Sequence, residues 1–162
     1  MPDYVIERAT LSDAAALRDV LEASVPEVYR SLVASPLSHA LSASDEEERL
    51  LLSRDRLAGA VTGMVLFGIV PGTLGAGRVR GVAVAPLARR RGVGRALLTA
   101  AVQALEERGA RFALVELPDE PAMRFLAALL EACGFAEESR AADLVRDGVA
   151  MRYMRRDLAA RA

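Results

Sequence analysis

The sequence lacks lysine and tryptophan entirely, and its 162 residues include one cysteine and one histidine. Because all 21 basic residues are arginines, no lysine can serve as a catalytic base, a Schiff-base former or a phosphate ligand. With Cys133 alone, the chain cannot form an intramolecular disulfide or a cysteine-based zinc site. With His39 alone, it cannot form a metal site of several histidines. The composition therefore predicts no bound metal.

Long apolar runs and a strong net charge are also missing. The apolar stretches are far shorter than the ~20 residues that span a membrane as a helix. The N-terminus also lacks the basic segment followed by an apolar run that is typical of a signal peptide. The net charge is -1 and aromatic residues make up 4%, which disfavours nucleic acid and anionic lipid as partners. Together with the lack of disulfides, these features predict a cytoplasmic protein with no membrane or nucleic-acid partner.

The sequence does have the composition of a folded domain, with 52% hydrophobic and 27% charged residues. Its length suits one core, so a single domain over residues 1–162 is expected. Alternating and apolar segments predict strands at residues 4–8, 50–52, 57–70, 79–85, 112–117 and 149–155. Helices are predicted after a capping box of Thr10 and Asp13, within residues 26–44, and at residues 93–108 and 121–133.

Two of these assignments depend on weak patterns. In residues 26–44, Pro36 and scattered serines predict a short helix and a mobile loop. The leucines at 50–52 are compatible with a helix or a strand, and a strand is favoured because a turn at 55–56 follows them. The resulting order is β, α, α, three strands, α, β, α, β. The fold class is therefore a mixed α/β domain.

One segment, residues 82–98, has the features of an anion-binding site. A strand ends there, a short arginine-rich loop follows, and Gly92 and Gly94 open an amphipathic helix. The first N–H groups of a helix have no partners within it, and its dipole is positive at that end. Since the two glycines lack a Cβ, we expect them to let a pyrophosphate approach the backbone closely.

The arginines of this segment strengthen the prediction. Four of them lie at the positive end of the predicted helix: Arg89, Arg90, Arg91 and Arg95. Like charges in this position cost about 0.3–1 kcal/mol each. A bound polyanion would reverse the sign of that energy, and local conflicts of this kind are expected at functional sites.

The same residues resemble the acyl-CoA-binding motif of the GCN5-related N-acetyltransferases, Arg/Gln-x-x-Gly-x-Gly/Ala, with Arg89, Gly92 and Gly94 at its fixed positions. The six-residue pattern alone should occur by chance in roughly one chain in six of this length. Its context is more specific, because a Val-Ala-Val-Ala-Pro strand precedes it, a Leu-Leu helix follows, and Gly134-Phe135 end a later helix. The resemblance extends over nearly the whole chain and is weakest at residues 26–44.

This resemblance implies a mostly antiparallel sheet flanked by helices, with splayed central strands that leave a slot for acetyl-CoA. A primary amine of a small-molecule or peptide acceptor would attack the acetyl carbonyl directly, and a strand N–H near Val84 would polarise that carbonyl. Backbone groups of residues 82–84 would pair with the pantetheine arm, and the amides of residues 90–95 would hold the pyrophosphate. The implied acetyl-CoA-binding residues are Val82, Ala83, Val84, Arg89, Arg90, Arg91, Gly92, Val93, Gly94 and Arg95.

The chain departs from the family in its proton-transfer groups. Many members have a tyrosine in the last helix, four residues before the Gly-Phe glycine, as the general acid. Here that position is Leu130, and an alignment shifted within the helix puts Ala127 there instead. No tyrosine lies between Tyr29 and Tyr153, so no general acid is assigned.

Glu116 is the candidate general base, because burial in an apolar strand beside the slot would raise its pKa. If it is instead solvent-facing, deprotonation falls to water, to Asp119 or Glu120, or to the neutral fraction of the substrate. Cys133 is interpreted as a core residue, and His39 and Tyr29 receive no assigned role.

An N-acetyltransferase is thus the favoured function, and a non-catalytic acyl-CoA-binding regulatory domain is the alternative, which the missing tyrosine would suit. A dinucleotide-binding domain is disfavoured because its glycine motif follows the first strand, whereas here it follows a later one. The sequence leaves open the identity of the amine acceptor and whether the chain forms a homodimer.

Overall fold

A computed structural model describes residues 1–42 and 48–158 of the chain. Within these residues it forms seven strands and four α-helices. The strands are β1 (Tyr4–Arg8), β2 (Glu48–Asp55), β3 (Val61–Ile69), β4 (Ala76–Val84), β5 (Phe112–Pro118), β6 (Ala136–Arg146) and β7 (Val149–Asp157). The helices are α1 (Ala14–Ser24), α2 (Glu27–Ser42), α3 (Val93–Glu107) and α4 (Arg124–Ala132). None of the helices in this part of the chain has the length and hydrophobicity that a membrane span requires.

The strands form one sheet in the order β1-β2-β3-β4-β5-β7-β6. All neighbours are antiparallel except β4 and β5, which run parallel. The parallel pair is short: it extends from Ala76 opposite Phe112 to Arg78 opposite Leu114 and then ends. Beyond Arg78 the two strands diverge, which leaves one edge of β4 without a strand partner. The predicted mixed fold, with a mostly antiparallel sheet and splayed central strands, is confirmed.

Helices cover both faces of the sheet and fix its centre. On β3, Val65 and Phe67 pack with α3 and α4, whereas Met64 and Leu66 pack with α1 and α2. All four side chains are fully buried, so β3 is a continuous apolar run in the sequence and not an alternating one. Burial of one such side chain contributes about 1.5–3 kcal/mol. The opening between β4 and β5 therefore lies in a sheet whose two faces are held in place by well-packed helices.

The prediction of a short helix and a mobile loop in residues 26–44 is wrong for its described part. Residues 27–42 form one helix, α2, with Pro36 inside it. Tyr29, Val33 and Leu37 recur every four residues and are all buried, so the helix is stabilised by packing along one face. That burial outweighs the loss of one backbone hydrogen bond at the proline. Residues 43 and 44 lie outside the described part of the chain.

Strand β6 was not predicted from the sequence, so the expected six strands become seven. It lies at the edge of the sheet, and nearly all of its side chains are exposed. It therefore lacks the alternation of apolar and polar residues that indicates a half-buried strand. An ion pair contributes to its attachment, since Glu137 contacts Arg152 of β7 at 2.7 Å, and Glu137 also contacts Arg140 within β6 at 2.8 Å. Hydrogen bonds from these two arginines lower the pKa of Glu137 to about 2.

Candidate active site

The loop before α3 presents backbone donors at an open helix end. Arg90 and Gly92 both have left-handed backbone angles, with φ of 64° and 80°. Gly92 is the N-cap of α3, and the N–H of Ala96 donates to its carbonyl oxygen at 3.0 Å. The N–H groups of residues 93–95 therefore point out of the helix end. Such a run of N–H groups around left-handed residues forms a concave anion-binding surface.

The four arginines of the motif have different surroundings. The Nε of Arg89 donates to the Val84 carbonyl oxygen at 3.3 Å, and its guanidinium lies 5.2 Å from the centre of the Phe125 ring. Arg91 turns away and contacts Asp3 at 3.5 Å and Asp55 at 3.6 Å.

Arg90 and Arg95 are exposed, and neither forms an ion pair with any residue in the described ranges. Of the four side chains, these two are the most available to an anion at the start of α3.

The two motif glycines serve different purposes, which corrects the expectation that both make room for a phosphate. A Cβ on Gly92 would have only the Tyr4 hydroxyl nearby, at 3.5 Å, so its outer side is open. Gly94 is buried, and a Cβ there would lie 3.0 Å from Leu129 Cδ2 and 3.4 Å from Val84 Cγ2. Gly94 therefore allows α3 to pack closely against α4 and β4.

Two adjoining cavities follow the opening between β4 and β5. The first has a volume of about 380 Å³ and runs from Arg89 along Val82 and Val84, beneath α4. The second, of about 220 Å³, extends from Val82 to Glu116. They share Val25, Val82, Met123 and Leu126. Together they form one cleft from the arginine loop to the far side of the sheet, and we call the second cavity the inner cavity.

The predicted strand residues 82–84 lie along this cleft in two orientations. Val82 and Val84 line it with their side chains, while Ala83 packs into the core beneath α1 and α2. On the other side, these residues pair with β3, where Val84 lies opposite Gly63. The edge facing the cleft has no strand partner in the described register, so its backbone groups are available to an extended ligand.

Glu116 lines the inner cavity on β5, where it lies opposite Tyr153 of β7. Its side chain is exposed and not buried as expected. Its role as general base stays a prediction. Leu130 is fully buried in the core and presents no proton donor.

A cluster that the sequence analysis did not assign lies at the same cavity. Tyr29 of α2 is buried and its hydroxyl donates to Glu120 Oε1 at 2.6 Å. Arg146 of β6 donates to the Tyr29 oxygen at 3.3 Å and also to Glu120. Burial and the bond to Glu120 raise the pKa of Tyr29, while bonds from Tyr29 and Arg146 lower that of Glu120. The phenol therefore stays protonated and the carboxylate charged at neutral pH.

The three members of this cluster are distant in sequence and form no motif. Tyr29 and Glu120 are 91 residues apart, and Arg146 follows 26 residues later. One signal was present, because the four-residue spacing of Tyr29, Val33 and Leu37 indicates a buried helix face. The partners of Tyr29 had no comparable signal.

The remaining candidate residues, Cys133 and His39, do not line either cavity of the cleft. Cys133 is half-buried beside the core under α3 and α4, and burial raises the pKa of its thiol, as expected of a packing residue. His39 lies exposed on α2 and not in the predicted loop. No group of three or more His, Cys, Asp or Glu side chains suited to a metal ion occurs within residues 1–42 and 48–158.

Comparison with known proteins agrees with this architecture. A GNAT-family protein from Desulfovibrio desulfuricans is similar in structure, with a TM-score of 0.86 and 22% identity over 96% of this chain and 99% of that chain. The ribosomal-protein-S18-alanine N-acetyltransferase of Escherichia coli has a TM-score of 0.77 and 20% identity, over 98% and 96%. A Salmonella typhimurium structure that contains acetyl-CoA has a TM-score of 0.72 and 19% identity, over 99% and 96%.

At these identities the structural matches establish the fold alone, and no curated protein matches the sequence. Membership follows from the family comparison, in which residues 14–135 match the sequence profile of the acetyltransferase (GNAT) family. The chain therefore belongs to the GNAT family and is an enzyme of the N-acetyltransferase class.

Proposed function

We propose that the chain transfers an acetyl group from acetyl-CoA to a primary amine by direct attack of that amine. The main support is one observation: the open helix end at α3, the unpaired edge of β4 and both cavities follow a single cleft. An acyl-CoA combines a pyrophosphate with an extended arm containing amides, which match the two kinds of backbone donor. Acetyl-CoA supplies an activated thioester whose leaving group is a thiolate.

The residues that we propose for acetyl-CoA binding divide along the cleft. The backbone amides of residues 90–95 hold the pyrophosphate, assisted by the exposed side chains of Arg90 and Arg95. The backbone of residues 82–84 pairs with the pantetheine arm, and a β4 N–H near Val84 polarises the acetyl carbonyl. Arg89 forms part of the wall, where it stacks on Phe125.

For proton transfer we propose Glu116, which receives the proton of the incoming ammonium directly or through a water molecule. Its exposed carboxylate lines the inner cavity, so it is open to solvent and can pass the proton on. Tyr29 positions α2 over the same cavity through its bond to Glu120. No general acid is assigned, because a CoA thiolate leaves without one and water can protonate it.

Calorimetric titration tests the binding half of this proposal. CoA should bind more tightly than pantetheine, which lacks the pyrophosphate, and its affinity should fall with added salt because the phosphate contacts are ionic. Equal affinities for the two ligands would show that the start of α3 does not bind the pyrophosphate.

Release of free CoA thiol over a panel of amines tests the transfer half. The panel should include a peptide beginning with alanine and an aminoglycoside. The Escherichia coli relative is named for an alanine of a ribosomal protein, and a further structurally similar protein is named as an aminoglycoside 6'-N-acetyltransferase. Release of thiol that requires the amine, with the acetylated amine detected by mass spectrometry, supports transfer. CoA binding without transfer to any amine would favour a non-catalytic acyl-CoA-binding domain.

A further inference from the structure

The inner cavity is lined by two charged side chains of opposite sign that have no partner among residues 1–42 and 48–158. Three charged residues line it: Arg78, Arg80 and Glu116. Arg80 is bound to Glu48, with 2.6 Å between Nε and Oε1. Arg78 and Glu116 form no ion pair or hydrogen bond through their side chains with any residue of the described ranges.

The position of Arg78 makes its unpaired state costly. Its side chain is half-buried, and its Nε is both buried and without a hydrogen-bond partner in the described part of the chain. Burying a polar or charged group without a partner is unfavourable, so such groups are normally hydrogen-bonded. Arg78 is also the last β4 residue paired with β5, at the point where the cavity opens. A ligand with an anionic group would satisfy it.

The backbone positions of Arg78 and Glu116 suit a small zwitterion between their side chains. Arg78 lies opposite Leu114 on β5, and Glu116 is two residues further along that strand. The two backbone positions are therefore offset by about 7 Å along the strands, in addition to the spacing of about 5 Å between neighbouring strands. One small molecule can lie between the two side chains in the cavity that both line. Elsewhere the cavity wall is mainly apolar, with contributions from Val33, Met123 and Leu126.

We propose that the amine acceptor is a free apolar amino acid, whose carboxylate binds Arg78 and whose amino group lies near Glu116. This inference rests on the proposed acetyl transfer and specifies its acceptor. Arg78 is then a specificity-determining residue, because the carboxylate contact distinguishes an amino acid from an amine or a peptide N-terminus that lacks a nearby carboxylate. A planar guanidinium is well suited to a carboxylate, which it can bind through two parallel hydrogen bonds.

Matched acceptors test this inference in the purified full chain with acetyl-CoA. Leucine should be acetylated with a kcat/KM at least about 10-fold above that of leucinamide or 3-methylbutylamine, since a charge-assisted contact is lost in both. In Arg78→Gln this preference should fall close to one, mainly through a higher KM for leucine. Arg18→Gln is the control, because it removes the same charge from an exposed position on α1 outside the cavities. It should keep the preference.

Calorimetry with CoA present separates this inference from the proposed function. If leucine binds, leucinamide binds weakly, Arg78→Gln removes the difference and no thiol is released, the proposed function fails while the carboxylate contact stands. If thiol is released with amines but leucine has no advantage over leucinamide, the inference is overturned and the proposed function stands. An Arg78→Gln protein that melts lower yet keeps the preference also overturns it, because Arg78 is then structural.

Discussion

Replacing Gly94 with valine should destabilise the fold while leaving the affinity for CoA nearly intact. An added Cβ at this position would lie 3.0 Å from Leu129 Cδ2 and 3.4 Å from Val84 Cγ2. Carbon atoms in contact prefer separations of about 3.5–4.0 Å, so even the Cβ requires Leu129 to move. Because Leu129 is only half-buried, it can make a small shift, but the two additional methyl groups of valine need more space than that shift provides.

The size of the effect follows from the cost of overpacking, about 1–3 kcal/mol for methyl groups added to a close-packed core. In a domain of about 150–250 residues, 1 kcal/mol lowers Tm by about 2–4 °C. We therefore expect Gly94→Val to lower Tm by about 2–12 °C. Gly94→Ala is the matched control, because its smaller clash is opposed by up to about 1 kcal/mol of helix propensity. Its Tm should stay close to that of the wild type.

Scanning calorimetry measures Tm for the three proteins, and titration with CoA well below the transition measures their affinity. We expect the wild type and Gly94→Ala to have similar Tm values and Gly94→Val to have a lower one. The CoA affinities of the three proteins should lie within a few-fold of one another. A valine variant with wild-type Tm and a large loss of CoA affinity would refute the packing role. Gly94 would then be a residue that a bound phosphate approaches directly.

Three other substitutions test the site. Gly92→Ala places a Cβ on a residue with φ of 80°. The resulting backbone strain should lower the free energy of unfolding by about 1–2 kcal/mol, and in titrations the variant should lose more affinity for CoA than for pantetheine. Glu116→Gln should lower kcat by about 100- to 10,000-fold with CoA affinity unchanged and the acidic limb of the pH–rate profile altered; full kcat with the same profile would make Glu116 structural. Glu120→Gln should lower Tm most at neutral pH. Because the folded-state pKa of Glu120 is lowered, its stabilisation exists above the unfolded pKa and disappears as the pH falls through the folded value. A Tm difference from the wild type that persists in acid would contradict this.

The parts of the fold predicted from sequence are those whose signals are local. The capping box before α1 forms as expected, with the Thr10 N–H donating to Asp13 Oδ2 at 2.8 Å. The end of α4 also forms as expected, because Gly134 has a positive φ and the Phe135 N–H bonds the Leu130 carbonyl at 3.0 Å. Each of these features depends on residues within a few positions of one another, so a single sequence contains the information.

The missed elements depend on distant partners. The stability of α2 comes from burial of Tyr29, Val33 and Leu37 along one face, which local helix propensity does not reveal around Pro36. Strand β6 pairs with β7 while exposing both faces. In both cases packing or pairing between distant segments overrides a weak local pattern.

The absence of a tyrosine at Leu130 changes what the remaining groups must do. Tyr29 is the only phenol that lines the inner cavity in the described chain, but burial and Glu120 raise its pKa, so it holds its proton at neutral pH. A phenol donating to a carboxylate that is also bound by an arginine is better suited to fix a helix than to protonate a leaving thiolate. Most of the rate enhancement should then come from alignment of the amine with the thioester, an effect worth up to about 7–11 kcal/mol. The Tyr29–Glu120 contact, which holds α2 over the inner cavity, would then contribute to kcat through this alignment, whereas the proposed Arg78–carboxylate contact acts mainly on KM.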